Sequence, residues 1–244
     1  MSRARRSTGS IASPKPVLEL GGFQPFSTTD WPGQLCAVAF VQGCPWRCGY
    51  CHNPGLQSRQ RAAGAPRWPE VQVLLQQRAG LLDGVVFSGG EPTLDAALPD
   101  AIDDTRAMGF GIGLHTAGIY PRRLEALLPR LDWIGLDLKA DAPGYAALTG
   151  APGSAEAAAE SLQLVAGSGV PFEVRTTCDS AWLGDAALLA MAAQLRALGI
   201  TSWVLQRERR PVAGVSGAWQ TAAPAPAALC DRLRDEVGLA IEWR

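Results

Sequence analysis

No apolar run in this 244-residue chain approaches the roughly 20 residues that a membrane-crossing helix needs. Neither sign of charge dominates: 22 basic against 23 acidic residues leave a net charge of -1, which argues against a dedicated nucleic-acid binder. The first 16 residues carry Arg3, Arg5, Arg6 and Lys15 and no acid. No apolar stretch follows Arg5-Arg6, so residues 1–16 read as a disordered basic tail and not as an export signal. With no secretory signal, a disulfide framework is not expected and a cytoplasmic location is. No internal repeat or composition break divides residues 17–244, which read as one domain. A hydrophobic content of 47% suffices for its core.

What is present is concentrated. Half of the six cysteines fall within residues 43–52, at Cys44, Cys48 and Cys51. The spacing is Cys-x3-Cys-x2-Cys, directly after the apolar run Cys36-Ala37-Val38-Ala39-Phe40-Val41. A strand therefore delivers three thiols to one loop, where they can hold a metal ion or an iron–sulfur cluster. A four-iron cubane on three cysteines keeps one iron open to another ligand, and an open position marks a catalytic rather than a structural centre. The same thiols with His52 could instead form a Cys3His zinc site, although zinc fingers usually bring a second separated ligand pair and none exists here. Cys36, Cys178 and Cys230 stand alone and read as buried thiols.

The rest of the chain alternates. Short apolar strands are expected at 17–20, with a turn at Gly21-Gly22, and at 36–42, 84–87, 111–114, 133–136, 171–176, 201–205 and 239–241. Helices are expected at 68–82, 94–108, 121–128, 154–166 with Ser154 as N-cap, 186–198 and 224–237. Near-continuous apolar strands imply a parallel sheet covered by helices. Six β/α units imply an α/β fold of the incomplete, TIM-like (β/α)6 barrel kind.

An internal test supports the barrel. In β/α barrels the active site lies at the C-terminal strand ends. The chemically suggestive stretches all fall there: the cysteine loop, Ser88-Gly89-Gly90-Glu91-Pro92, His115-Thr116-Ala117-Gly118, Asp137-Leu138-Lys139, Arg175-Thr176-Thr177 and Gln206.

These motifs resemble a known family. Cys-x3-Cys-x2-Cys with Tyr50 before the last cysteine resembles the radical S-adenosylmethionine (SAM) enzymes. Asp30-Trp31-Pro32-Gly33, Phe40-Val41-Gln42-Gly43-Cys44 and Tyr50-Cys51-His52-Asn53-Pro54 look like the glycyl-radical-enzyme activases, in particular those of anaerobic ribonucleoside-triphosphate reductase. The resemblance implies a radical SAM partial barrel with a [4Fe–4S] cluster on Cys44, Cys48 and Cys51. It implies that Gly89, Gly90 and Glu91 hold the methionine amino group of SAM, glycine permitting close backbone approach. Lys139 and Arg175 would meet its carboxylate, Arg175 as a bidentate fork and Lys139 as a point charge. Asp137 would orient Lys139 or approach the substrate, and Tyr50 would lie near the adenine. An ion pair closing the barrel mouth is the plainer reading of Asp137, Lys139 and Arg175. The resemblance implies that Thr116 would belong to a ribose-contacting turn, in which His115 and Ala117 replace the family's usual Asp and Asn.

The activity implied is reductive cleavage of SAM and removal of a hydrogen atom from a glycine of a partner glycyl radical enzyme, with flavodoxin or ferredoxin as electron donor. No general base is needed, and no catalytic dyad is evident. A formate-lyase-type partner, a small-molecule substrate of the deazaguanine-synthase kind, and a non-enzymatic zinc or electron-transfer module are the other readings.

Overall fold

The structure is a computed structural model and describes residues 16–179, 182–211, 219–221 and 227–244. The chain opens with strand β1 (Leu20–Ser27), β2 (Cys36–Val41) and the cysteine loop, then α1 (Trp68–Gln76), β3 (Gly84–Gly89), α2 (Leu98–Ala107), β4 (Gly111–Thr116), α3 (Pro121–Leu127) and β5 (Trp133–Asp137). It continues with α4 (Ala142–Thr149), α5 (Ser154–Gly167), β6 (Phe172–Cys178), α6 (Asp185–Ala197), β7 (Ser202–Arg207), β8 (Arg209–Pro211), β9 (Trp219–Thr221), α7 (Ala227–Val237) and β10 (Ala240–Trp243). The expected residues 1–15 of the tail and 224–226 of the last helix lie outside the described residues.

Eight strands form one sheet in the order β1-β2-β3-β4-β5-β6-β7-β10. From β2 onward every neighbouring pair is parallel, and β1 runs antiparallel to β2. Each crossover advances by one strand, which curls a sheet toward a barrel. Here β1 and β10 are not paired, so the barrel stays open. The expected parallel α/β partial barrel is therefore the observed fold.

Side chains alternate along each strand. In β4, Ile112 and Leu114 are fully buried toward the helices, while Gly111, Gly113 and His115 face the barrel interior. The lower interior is filled by Trp31, from the loop between β1 and β2. Its ring stacks on Trp133 at 5.8 Å. A Cβ on Gly84 would lie 2.6 Å from that ring and one on Gly113 3.0 Å from it. The glycines on adjacent strands are thus the space into which an indole fits.

Several local expectations are corrected. Gly21-Gly22 is not a turn: β1 runs through it, with a register shift between Leu20 and Gly22. A Cβ on Gly21 would lie 2.1 Å from Leu56 Cδ2, so glycine there serves close packing. The helix expected at 94–108 is a 3-10 turn at Pro92–Leu94 and then α2, because Asp95 caps Ala97 N–H at 2.8 Å and Pro99 begins the helix anew. Ser154 is the first helical residue and Gly153, at φ 76°, is the N-cap. Helix α4 was not foreseen, although its signals are in the sequence: Asp141 caps Gly144 N–H at 3.2 Å, Pro143 sits in the first turn and Gly150 ends it at φ 66°. The β8–β9 hairpin was also not foreseen.

Candidate active site

The cysteine loop is held by the end of α4. A helix leaves its last carbonyls without internal partners, and here two of them take loop amides. Arg47 N donates to Thr149 O at 2.7 Å and Gly49 N to Leu148 O at 3.3 Å. Arg47 turns its guanidinium back on Cys44 O and Trp46 O. Cys51 N bonds Cys48 O at 3.1 Å. Cys44, Cys48 and Cys51 thereby line one cavity of about 260 Å³. Burial pushes the Cys44 thiol up to about 11 and raises Cys48 as well, so thiolates here call for a bound cation.

The donor set bears on both metal readings. Among the described residues no group of three or more His, Cys, Asp or Glu side chains converges on a single ion. His52 Nε2 instead accepts from Arg209 N at 3.3 Å. Three thiols lining one cavity suit a multi-iron cluster, in which each sulfur attaches to a different iron. Tyr50 lines the same cavity, and its buried hydroxyl has no partner among the described residues. An orphaned buried hydroxyl is costly unless something bound nearby satisfies it.

The other rim stretches reach this cavity in turn: Ser88, Gly89 and Gly90 at the end of β3, His115 and Thr116 at the end of β4, Asp137 and Lys139 at the end of β5, Arg175 and Thr177 on β6, and Gln206 on β7. The bare edge of Gly89 and Gly90 has an internal reason besides any ligand. A Cβ on Gly90 would lie 2.2 Å from Gly43 O, and one on Gly89, at φ 111°, 2.5 Å from Val41 N. Glycine lets β3 end against the root of the cysteine loop.

Glu91 lies elsewhere. It is fully buried and does not line the cavity. Its carboxylate accepts from Thr93 N and Oγ1, from Thr116 Oγ1 at 2.7 Å and from Ala117 N at 3.0 Å. Burial pushes its pKa up against the pull of these bonds. These bonds tie β3 to the β4 loop, Oε1 through Thr93 and Thr116 and Oε2 through Ala117 N alone. Thr116 is held by the same bond. Ala117 joins it through the backbone, so the side chain missing there is not needed for this link.

Across the mouth, Asp137 joins both cations. Arg175 Nη2 is 3.0 Å and Lys139 Nζ 3.4 Å from its carboxylate. Burial works against charge on Asp137, but Lys139 and then Arg175 outweigh it and hold the carboxyl down at about 2. Burial likewise works against the Lys139 ammonium, and Asp137 overrides it, raising its pKa. The ion pairs weighed as the plainer reading are present, and they also aim both cations into the cavity. Tyr145, not foreseen, accepts Lys139 N–H on its hydroxyl at 2.9 Å. Cys36 and Cys230 are buried, Cys178 is half-buried, and none of them lines the cavity.

An open parallel barrel with three thiols, two cations and a carboxylate on its C-terminal rim defines a class: α/β enzymes built around a metal cluster at the barrel mouth. The profile of the radical SAM superfamily matches residues 38–183, more than half of the chain, and the chain belongs to that superfamily. The superfamily's cofactors are a [4Fe–4S] cluster and SAM. A protein of Methanocaldococcus jannaschii named as a glycyl-radical enzyme activating enzyme is 31% identical over 49% of this chain and 50% of its own length. The pyruvate formate-lyase-activating enzyme of Clostridium pasteurianum is 34% identical over 50% of this chain and 52% of its own. The chain thus aligns with about half the length of these curated relatives. The crystal structure of Streptococcus suis SuiB bound to S-adenosylmethionine shares the fold with a TM-score of 0.59, at 14% identity over 83% of this chain and 48% of that one. No helix among the described residues is long and apolar enough to cross a membrane.

Proposed function

We propose that this chain is an activating enzyme that installs a glycyl radical in a partner enzyme, with Cys44, Cys48 and Cys51 as ligands of its cluster. The observation that carries the reading is the convergence of three thiols, the Gly89-Gly90 edge and the cations Lys139 and Arg175 on one cavity. Lys139 and Arg175 are the groups to receive a carboxylate, and the unpartnered Tyr50 hydroxyl is a further polar contact for what binds there. When bound, the cluster supplies one electron, drawn from a reduced flavodoxin or ferredoxin, that splits the sulfur–carbon bond of SAM and so yields the 5′-deoxyadenosyl radical that takes a hydrogen atom from a glycine. The apolar packing beneath the rim keeps water from the floor of the cavity. Anaerobic ribonucleoside-triphosphate reductase is the proposed partner, on the likeness of the Asp30–Gly33 and Tyr50–Pro54 stretches. The likeness to a pyruvate formate-lyase-activating enzyme favours a second reading, a formate-lyase-type partner.

The test is anaerobic reconstitution, reduction and addition of SAM, with 5′-deoxyadenosine as product and Cys48→Ala in parallel. Electron paramagnetic resonance on mixtures with each candidate partner then reads where a glycyl radical forms. Zinc in place of iron, or no product from the wild type, would refute the reading.

A further inference from the structure

Lys139 stands just past the point where β5 and β6 stop pairing. The residue before it is still tied to β6: Leu138 N donates to Arg175 O at 2.9 Å, and Leu138 O accepts from Thr176 Oγ1 at 2.6 Å. The next backbone donor, Lys139 N, has left the sheet. A backbone N–H drawn out of water needs an acceptor, and a side chain supplies it, the Tyr145 hydroxyl at 2.9 Å. Above this root the lysine is a point charge on a flexible four-carbon stem. Its Nζ has only loose neighbours, the Asp137 carboxylate at 3.4 Å and the Tyr50 ring centre at 5.9 Å. Where the ammonium stands therefore depends on where its backbone is held.

The same tyrosine faces the cysteine loop. Side chains on a helix lean toward its N-terminus, which lets buried Tyr145 reach back from α4 to residue 139. Its ring meets that of Trp46, between Cys44 and Cys48, edge-on at 5.9 Å. Further along α4, Leu148 O and Thr149 O take Gly49 N and Arg47 N. Thr149 Oγ1 donates to Tyr145 O at 2.8 Å, which ties these two parts of the helix together. One short helix thus holds both the loop that carries the thiols and the backbone that carries the ammonium.

We infer that Tyr145 is a positioning residue: it fixes the root of Lys139 against the cysteine loop and so sets where the ammonium meets a carboxylate beside the cluster. It touches no ligand itself and acts through Lys139. The inference rests on the proposed reading in one respect, that the carboxylate is that of SAM.

The experiment is a double-mutant cycle on cluster-loaded protein, read as the dissociation constant of SAM. Tyr145→Phe keeps the ring against Trp46 and removes only the acceptor, so the variant should fold. It should bind SAM about fivefold more weakly, the worth of one hydrogen bond. Before SAM is added, its reduced cluster should give the electron paramagnetic resonance spectrum of the wild type. Lys139→Met removes the ammonium and keeps an unbranched stem, and in that background Tyr145→Phe should cost nothing further. The same fivefold loss in both backgrounds, a spectrum already changed without SAM, or full affinity in Tyr145→Phe overturns the inference and leaves the proposed function standing. Failure of the wild type to bind SAM overturns both.

Discussion

The floor and the rim of this barrel are built by the same strands and obey opposite rules. At the floor, Trp31 stacks on Trp133 over glycines, and each contact excludes water. Higher on the same strands the inward residues are His115, one position pair above Gly113, and Asp137 with its partner Arg175, two pairs above Trp133, which carry charge or hydrogen bonds. The floor is a packing problem solved by making the walls thin. The rim is an electrostatic problem solved by letting one carboxylate serve two cations. The difference teaches that an interior strand position in an open barrel takes its role from its height, not from its place in the alternation.

The comparison can be broken most sharply at the rim. Cys48→Ala should abolish 5′-deoxyadenosine formation, a loss of at least about a thousandfold, because the cluster loses a ligand. Its denaturation midpoint should stay close to that of the wild type purified without iron. A fall of the midpoint comparable with a floor substitution would erase the distinction.

At the floor, Trp31→Ala should cost about 2–4 kcal/mol by chemical denaturation, the range of a large aromatic truncation reduced for partial exposure. The variant should still turn over SAM below its melting temperature. Loss of turnover in a folded Trp31→Ala protein would make floor and rim a single unit. Filling the floor instead, Gly113→Ala places a Cβ 2.9 Å from Val86 Cγ2 and 3.0 Å from Trp31. About 1–3 kcal/mol should be lost, read in the same denaturation assay.

A pH-dependent effect lies at the seam. His115 has a lowered pKa, so on acidification the unfolded chain binds a proton that the folded chain refuses. Stability should therefore fall as the pH drops below the ordinary histidine range, by up to about 1.4 kcal/mol per pH unit, and continue to fall toward about 3. His115→Phe should flatten that slope. Asp137 works in the same direction but lower: its depressed pKa contributes stability above the ordinary carboxylate range, lost as the pH falls toward about 2. Equal slopes in the two proteins between pH 7 and 5 would show that His115 is not held neutral by the fold.

Much of this was legible before the structure. The near-continuous apolar strands and their spacing by helices carry the parallel sheet, because both signals lie within a few neighbouring residues. The rim stretches are legible for the same reason, since each follows its strand directly. The partners of the Glu91 carboxylate were not legible, because Gly-Gly-Glu does not say on which side of the turn it falls, and that is decided by Thr116 and Ala117, some 25 residues away. Helix α4 was overlooked although Asp141, Pro143 and Gly150 mark both of its ends. The glycines at 84, 111 and 113 were a readable signal of a close approach on one barrel face, but nothing near them in the chain names Trp31 as the visitor.

By itself the sequence determined the alternation of strands and helices, the three-thiol loop and the height at which the polar residues occur. Each depends on neighbours a few positions apart. Only the tertiary structure decided that Asp137 binds both cations, that the end of α4 holds the cysteine loop, and that the ring of His115 meets the backbone of Asp30 across 85 positions of chain. Those contacts depend on how the curled sheet brings distant strand ends to one mouth, and no local periodicity encodes that distance.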